Sequence, residues 1–195
     1  MHTLTQPALK PGKVYRTADL RRWGKNPTRL ARRLEEAGKL QPLPVQGLYV
    51  CPRRSRFGTV PPKDEEVLDA FLKRSPYVFT GPTQWNRLGL RSTAVFADTW
   101  VYNTKRTCTL KVGNRRLQLR RVRFPRHPSP EWYAVDLLEN HEAAGMPLSQ
   151  LEEALRSAVA AERFDPDRLR RAASEYGTRE TQALVDRAVM AAAAS

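Results

Sequence analysis

The chain has 195 residues, 41% of them hydrophobic, and carries 34 Lys and Arg against 20 Asp and Glu, a net charge of +14. That length suits one medium domain or two small ones, and the charge points to a polyanionic or acidic partner. No apolar run approaches the roughly 18 residues needed to span a bilayer, and the first ten residues hold no signal-peptide core. The expectation is a soluble, cytoplasmic protein without a membrane partner.

The charge is unevenly placed. Residues 1–126 hold 27 Lys and Arg against 8 Asp and Glu, whereas residues 127–195 hold 7 against 12. This asymmetry separates a region that meets a polyanion from a region that does other work. Cys51 and Cys108 stand far apart, with no Cys-x-x-Cys spacing, and read as two reduced thiols.

In chain order, "TADLRRWG" is a short helix with Thr17 as its cap and Gly24 as its stop. "NPTRLARRLEEAGKL" is a second helix, capped by Asn26, opened by Pro27 and ended by Gly38. Its charges run against the helix dipole, with Arg29, Arg32 and Arg33 early and Glu35 and Glu36 late. At 100° per residue Leu30, Ala31, Leu34 and Ala37 share an inward face. Thr28, Arg29 and Arg32 lie opposite, with Arg33 on the flank. "KLQPLP" and "GLYV" then read as a small hairpin around Val45-Gln46-Gly47, a wing. Two short helices and a wing make a winged helix-turn-helix over residues 1–58.

A helix in the major groove presents mainly its N-terminal residues to the bases, and Arg binds guanine bidentately. The inverted charge order thus fits a helix docked on double-stranded DNA. Arg29, Arg32 and Thr28 are expected to read bases. Lys25, Asn26 and Arg33 lie beside them, and Lys25, Arg53, Arg54 and Arg56 are expected on phosphates.

"FGTVPPKDEE" reads as a connector, with Asp64 capping the helix "EEVLDAFLKR". Residues 59–195 are expected to form an α+β domain, its small antiparallel sheet at about 94–124 and its helices at about 131–194. Gly113-Asn114 joins two of three strands in a type II′ turn. In "RRLQLRRVRF", Leu117 and Leu119 are out of phase with Val122 and Phe124, so a bulge is expected near Arg120 and Arg121. That bulge would leave Arg116, Gln118, Arg120 and Arg123 as a solvent-facing ladder. Arg115, Arg116, Arg120, Arg121 and Arg123 form a candidate second basic surface, read equally well as charge that blunts a sheet edge. In the tail, "EWYAVDLLENHEAAG" ends at Gly145, Ser149 caps "LEEALRSAVAAERF" with Glu152 completing a capping box, Asp165-Pro166 open a third helix, and Thr178 opens the last.

The order "TADLRRWG", "LARRLEEAGKL", "GLYV" and "YVFTGPTQWNRLGL", across about residues 14–90, resembles the AbiE-type antitoxins of type IV toxin–antitoxin systems. The resemblance implies a repressor that binds repeats in its own promoter and counters a nucleotidyltransferase-like toxin. It assigns DNA contact to the exposed arginines of the second helix and the basic residues after "GLYV".

An enzyme is not expected. His141-Glu142 begins like a zinc-protease motif, but Gly145 stands where the second His belongs. His2, His127 and His141 lack metal-ligand spacing to each other or to Cys, and no phosphate loop or serine elbow appears, so neither a metal nor a cofactor is implied. Besides a plain winged-helix repressor without a toxin, two alternatives remain. One is an RNA-binding protein in which Trp100 and Tyr102 stack bases beside the arginine strand. The other is a module that binds an acidic protein through its basic face.

Overall fold

The computed structural model describes residues 7–90 and 98–194, and the chain divides into two compact units. One holds the described residues up to Pro76 together with Cys108–Leu117; the other holds Tyr77–Thr107 and Gln118 onward. The cut expected after residue 58 falls inside the first unit. The architecture is mixed α+β, with small sheets and C-terminal helices.

In the first unit, β1 (Val14–Arg16), β2 (Gln41–Pro42) and β3 (Leu48–Val50) form an antiparallel sheet in the order β1-β3-β2. Between β1 and β2 lie a 3-10 helix, Thr17–Trp23, and α1, Pro27–Glu36. Thr17 does not cap the 3-10 helix. The cap is Arg16, whose backbone N–H donates to Asp19 at 2.9 Å and whose guanidinium pairs with it at 2.6 Å. The Thr17 hydroxyl instead donates to the Gly47 carbonyl. Gly24 has φ −174, so this helix ends in extended chain rather than in a left-handed turn.

The core of this unit holds Tyr15, Leu20, Ala31, Leu34, Leu40 and Cys51, with Leu9, Trp23, Leu30 and Tyr49 packed against it. Ala37 is exposed, because α1 stops at Glu36 and turns away at Gly38, φ +66. The stretch expected to be a connector is partly a second hairpin, with β4 (Arg53–Ser55) paired to β5 (Gly58–Val60). Its sequence hides the strand because Pro61-Pro62 follow at once. Next comes α2, Asp64–Phe71; Asp64 lies in its first turn rather than capping it, and Lys63 stands at the N-cap position without a side-chain hydrogen bond.

A four-stranded sheet is built from β6 (Tyr77–Thr80), β7 (Asp98–Asn103), β8 (Cys108–Val112) and β9 (Arg115–Arg121) in the order β6-β7-β9-β8. The strand β6 precedes the expected sheet region and adds a fourth member to it. Gly113 has φ +61, as the first position of a type II′ turn requires. Alternation in β8 follows expectation, with Leu110 and Val112 buried and Thr109 and Lys111 exposed. No bulge rescues the phase of β9. The strand ends at Arg121, and Val122 is exposed. The first residues of the strand expected from residue 93 lie outside the described residues.

The helices of the second unit are α3 (Pro82–Trp85), which runs on into a 3-10 turn at Asn86–Leu88, and, after β9, α4 (Pro130–Glu139), α5 (Leu148–Ala160), α6 (Pro166–Tyr176) and α7 (Arg179–Ala193). Asp165 and Thr178 cap α6 and α7 as expected, each accepting from a backbone N–H of the first turn. Ser149 does not cap α5, because Pro147 starts the helix and leaves Ser149 inside its first turn. α4 stops at Glu139, before Gly145. α5 packs on α7 and α4 on α6, around Leu137, Leu151, Leu155, Leu169 and Val185.

Gly81 joins β6 to α3 at φ +87, and a Cβ there would lie 3.0 Å from Trp100. Both conformation and space demand glycine. Gly81→Ala is expected to destabilise the protein by roughly 1–3 kcal/mol, read as a lower midpoint in urea unfolding.

Candidate nucleic-acid interface

The outward face of α1 is built from its cap upward. The Asn26 side chain accepts the Arg29 backbone N–H at 3.0 Å, and Pro27 supplies a first turn that needs no donor. Ala31 and Leu34 anchor the inner face at 0% and 6% exposure. With that face fixed, 3.6 residues per turn put Thr28, Arg29, Arg32 and Arg33 outside, and the three arginines are exposed. Lys25 and Asn26 lie just ahead of them. The Arg32 guanidinium reaches Glu36 one turn on, at 3.1 Å. With side-chain exposures of 82% and 62%, this pair is worth no more than about 1 kcal/mol.

The late acid thus has a local role. It holds Arg32 loosely in place, in a pair open to solvent. Glu36→Gln is expected to release Arg32 and to lower stability by under ~1 kcal/mol, measured by thermal melts.

The loop of the expected wing, Leu43 to Gly47, carries no cation. The cations sit on the next hairpin. Arg53 and Arg54 lie on β4 and Arg56 at its tip, all exposed. The sequence pattern puts them after a wing; the structure puts them on a ribbon of their own. Arg22 is a further cation of this unit that the sequence pattern does not single out, and its guanidinium stacks 3.8 Å from the Trp23 ring centroid. Arg16 pairs with Asp19 and holds that carboxyl below the usual range.

The candidate second basic surface is not a uniform solvent-facing ladder. Arg115 belongs to the first unit and is half-engaged, 3.0 Å from Asp64 and donating to the Pro62 carbonyl at 2.8 Å. Burial nonetheless raises the Asp64 carboxyl above its ordinary range, with Arg115 opposing. In the second unit Arg120 lies over Trp100, 3.6 Å from the ring centroid, and donates to Asn140 at 3.2 Å. Arg123 pairs with Glu175 at 3.3 Å. Gln118 donates to Asp98. Arg116 and Arg121 are exposed. Trp100 and Tyr102, the candidate base-stacking rings, are 3% and 4% exposed. They fill the interior and are not presented for base stacking.

A buried polar cluster in the second unit stands outside every sequence expectation. Asp136, on α4, accepts from the Thr80 hydroxyl, from the Trp85 indole at 2.8 Å and from the Tyr102 hydroxyl at 2.7 Å. Asn140, one turn on, donates to both Asp136 and Tyr102. Burial pushes the Asp136 carboxyl above its usual range, and the Thr80, Tyr102 and Trp85 donors oppose that rise. Tyr102 is raised as well, by burial first and by Asp136 second. Both carboxylate oxygens meet donors from other elements, so this cluster ties β6, α3, β7 and α4 together.

These features define the class as a two-unit α+β protein whose N-terminal unit presents a cationic helix and a cationic hairpin. No family model matches the chain, and no curated protein matches it. Among solved structures it is similar to the crystal structure of the RV2827C protein from Mycobacterium tuberculosis, at 15% identity over 92% of this chain and 72% of that one, with a TM-score of 0.54. At that identity the likeness is one of fold. Among the described residues, no helix is long and apolar enough to cross a membrane.

Proposed function

We propose that this protein is a DNA-binding transcriptional repressor whose N-terminal unit is a winged helix-turn-helix, and that it serves as the antitoxin of a type IV toxin–antitoxin system. The observation that carries DNA binding is the split of α1, with Ala31 and Leu34 in the core and Thr28, Arg29, Arg32 and Arg33 outside. Three further features support it. The strand order β1-β3-β2, with a helical pair between β1 and β2, is the order expected of a winged helix. Lys25 and Asn26 sit ahead of the first turn, where a recognition helix meets DNA. Arg53, Arg54 and Arg56 supply phosphate contacts on a separate hairpin.

The antitoxin half of the proposal rests on the resemblance to AbiE-type proteins across residues 14–90. In that reading the protein represses its own operon through promoter repeats, and its second unit opposes a nucleotidyltransferase-like toxin. Both halves are testable. Gel shifts with the DNA upstream of the coding sequence should give a complex that a scrambled duplex of equal length does not compete away. Co-expression with a neighbouring nucleotidyltransferase-like protein should restore growth that the latter arrests. A neighbour without toxicity would leave a plain repressor.

A further inference from the structure

Phe57 is 85% exposed at the tip of the β4–β5 hairpin, and among the described residues of its unit no other large hydrophobic stands so far out. The tip holds it there. Ser55 pairs with Gly58, so Arg56 and Phe57 form the turn itself. The Ser55 hydroxyl donates to the Gly58 carbonyl at 3.1 Å and accepts the Phe57 N–H at 3.2 Å. Gly58, at φ +112, takes a backbone conformation that a side chain would resist. A ring presented this way is not a frayed end. The Arg56 guanidinium lies 4.6 Å from its centroid, and residues 53–60 hold three arginines and no acid.

A two-residue turn is narrow enough to enter a minor groove about 6 Å wide. The negative potential there attracts Arg, and an apolar side chain at such a tip can unstack neighbouring base pairs and kink the duplex. We propose that Phe57 is a wedge that inserts between adjacent base pairs from the minor groove, with Arg56 beside it in the groove and Arg53 and Arg54 on the flanking phosphates. The inference rests on the DNA-binding reading and adds local unstacking, which the arginine face of α1 does not perform. A lipid surface is the weaker partner, because one ring without a second apolar neighbour or acyl chain holds a membrane poorly.

The test uses the full chain and duplexes cut from the DNA upstream of its coding sequence, with 2-aminopurine placed at successive steps. Wild type should brighten 2-aminopurine at one step, and Phe57→Ala should not. Phe57→Ala should bind about tenfold more weakly with an unchanged salt slope, since no charge is lost, and Phe57→Leu should recover some of the difference. A single mismatch at the bright step should tighten wild type more than Phe57→Ala. Equal binding by wild type and Phe57→Ala, or binding without brightening at any step, overturns the wedge while leaving the DNA-binding reading intact. Absence of any duplex complex overturns both. Phe57-dependent binding to phosphatidylserine vesicles without a duplex complex would reassign the tip to a membrane surface.

Discussion

Replacing Asp136 with alanine is expected to cut the folding stability by about 3–5 kcal/mol and to lower the melting temperature by about 10 °C. One carboxylate receives three side-chain donors, from Thr80, Trp85 and Tyr102, and its loss strands all three inside the protein. Asp136→Asn should be milder, because the amide keeps one acceptor, and Thr80 and Tyr102 can turn their hydroxyls to accept. The two variants also separate hydrogen bonding from charge. Burial holds the Asp136 carboxyl above its ordinary range, so the folded state binds its proton more tightly than the unfolded chain does. The stability that this proton linkage contributes is complete below the unfolded carboxyl pKa, near about 3.9. It is lost as pH rises through the elevated folded pKa. Asp136→Asn removes that linkage, so wild type should gain on it as pH falls. Urea titrations from mildly acidic to mildly alkaline pH check the sign.

The second large effect falls on the proposed DNA binding. Arg29 and Arg32 are exposed on α1, and a bidentate contact from Arg to guanine is worth about 1–3 kcal/mol of discrimination. Arg29→Ala with Arg32→Ala should therefore weaken binding to the upstream DNA by roughly two to four orders of magnitude. Binding to a scrambled duplex should fall by little more than two lost charges require. Arg54→Ala should behave otherwise, weakening both duplexes alike and reducing the salt slope by about one. Neither variant should disturb folding, since none of these side chains enters the core.

Local chemistry made much of this fold legible. Asn26-Pro27, Asp165-Pro166 and Thr178 are readable as caps because each acts on backbone within its own first turn. The split of α1 is readable because Ala31 and Leu34 are apolar at helical spacing. What escapes depends on partners distant in sequence. "YVFT" is too short to announce a strand, and β6 exists through its pairing with β7, roughly twenty residues on. Asp136 resembles any helical acid; its donors lie 34 to 56 residues away on other elements. The one local clue is an Asp amid Trp132, Val135, Leu137 and Leu138, with Asn140 one turn further. The arginines of β9 and its flank are a further case of partners the sequence does not show. Their number suggests a surface, whereas Trp100, Asn140, Asp64 and Glu175 each engage one of them.

The charge order of α1 also has a physical account. Early arginines destabilise an isolated helix through its dipole by roughly 0.3–1 kcal/mol each, and α1 has no acid in its first turn. Tertiary packing of Ala31 and Leu34 outweighs that, as it does for most helices in proteins. The same early cations then face solvent, with Arg32 in loose contact with Glu36.

Anisotropy titration of the Arg29→Ala/Arg32→Ala protein, against both the upstream duplex and its scramble at two salt concentrations, is the most direct measurement of whether α1 reads DNA. It should bind the two duplexes with nearly equal, weak affinity, sequence preference gone while the charge-driven remainder persists. A variant that still prefers the upstream duplex as strongly as wild type would show that these arginines do not read it.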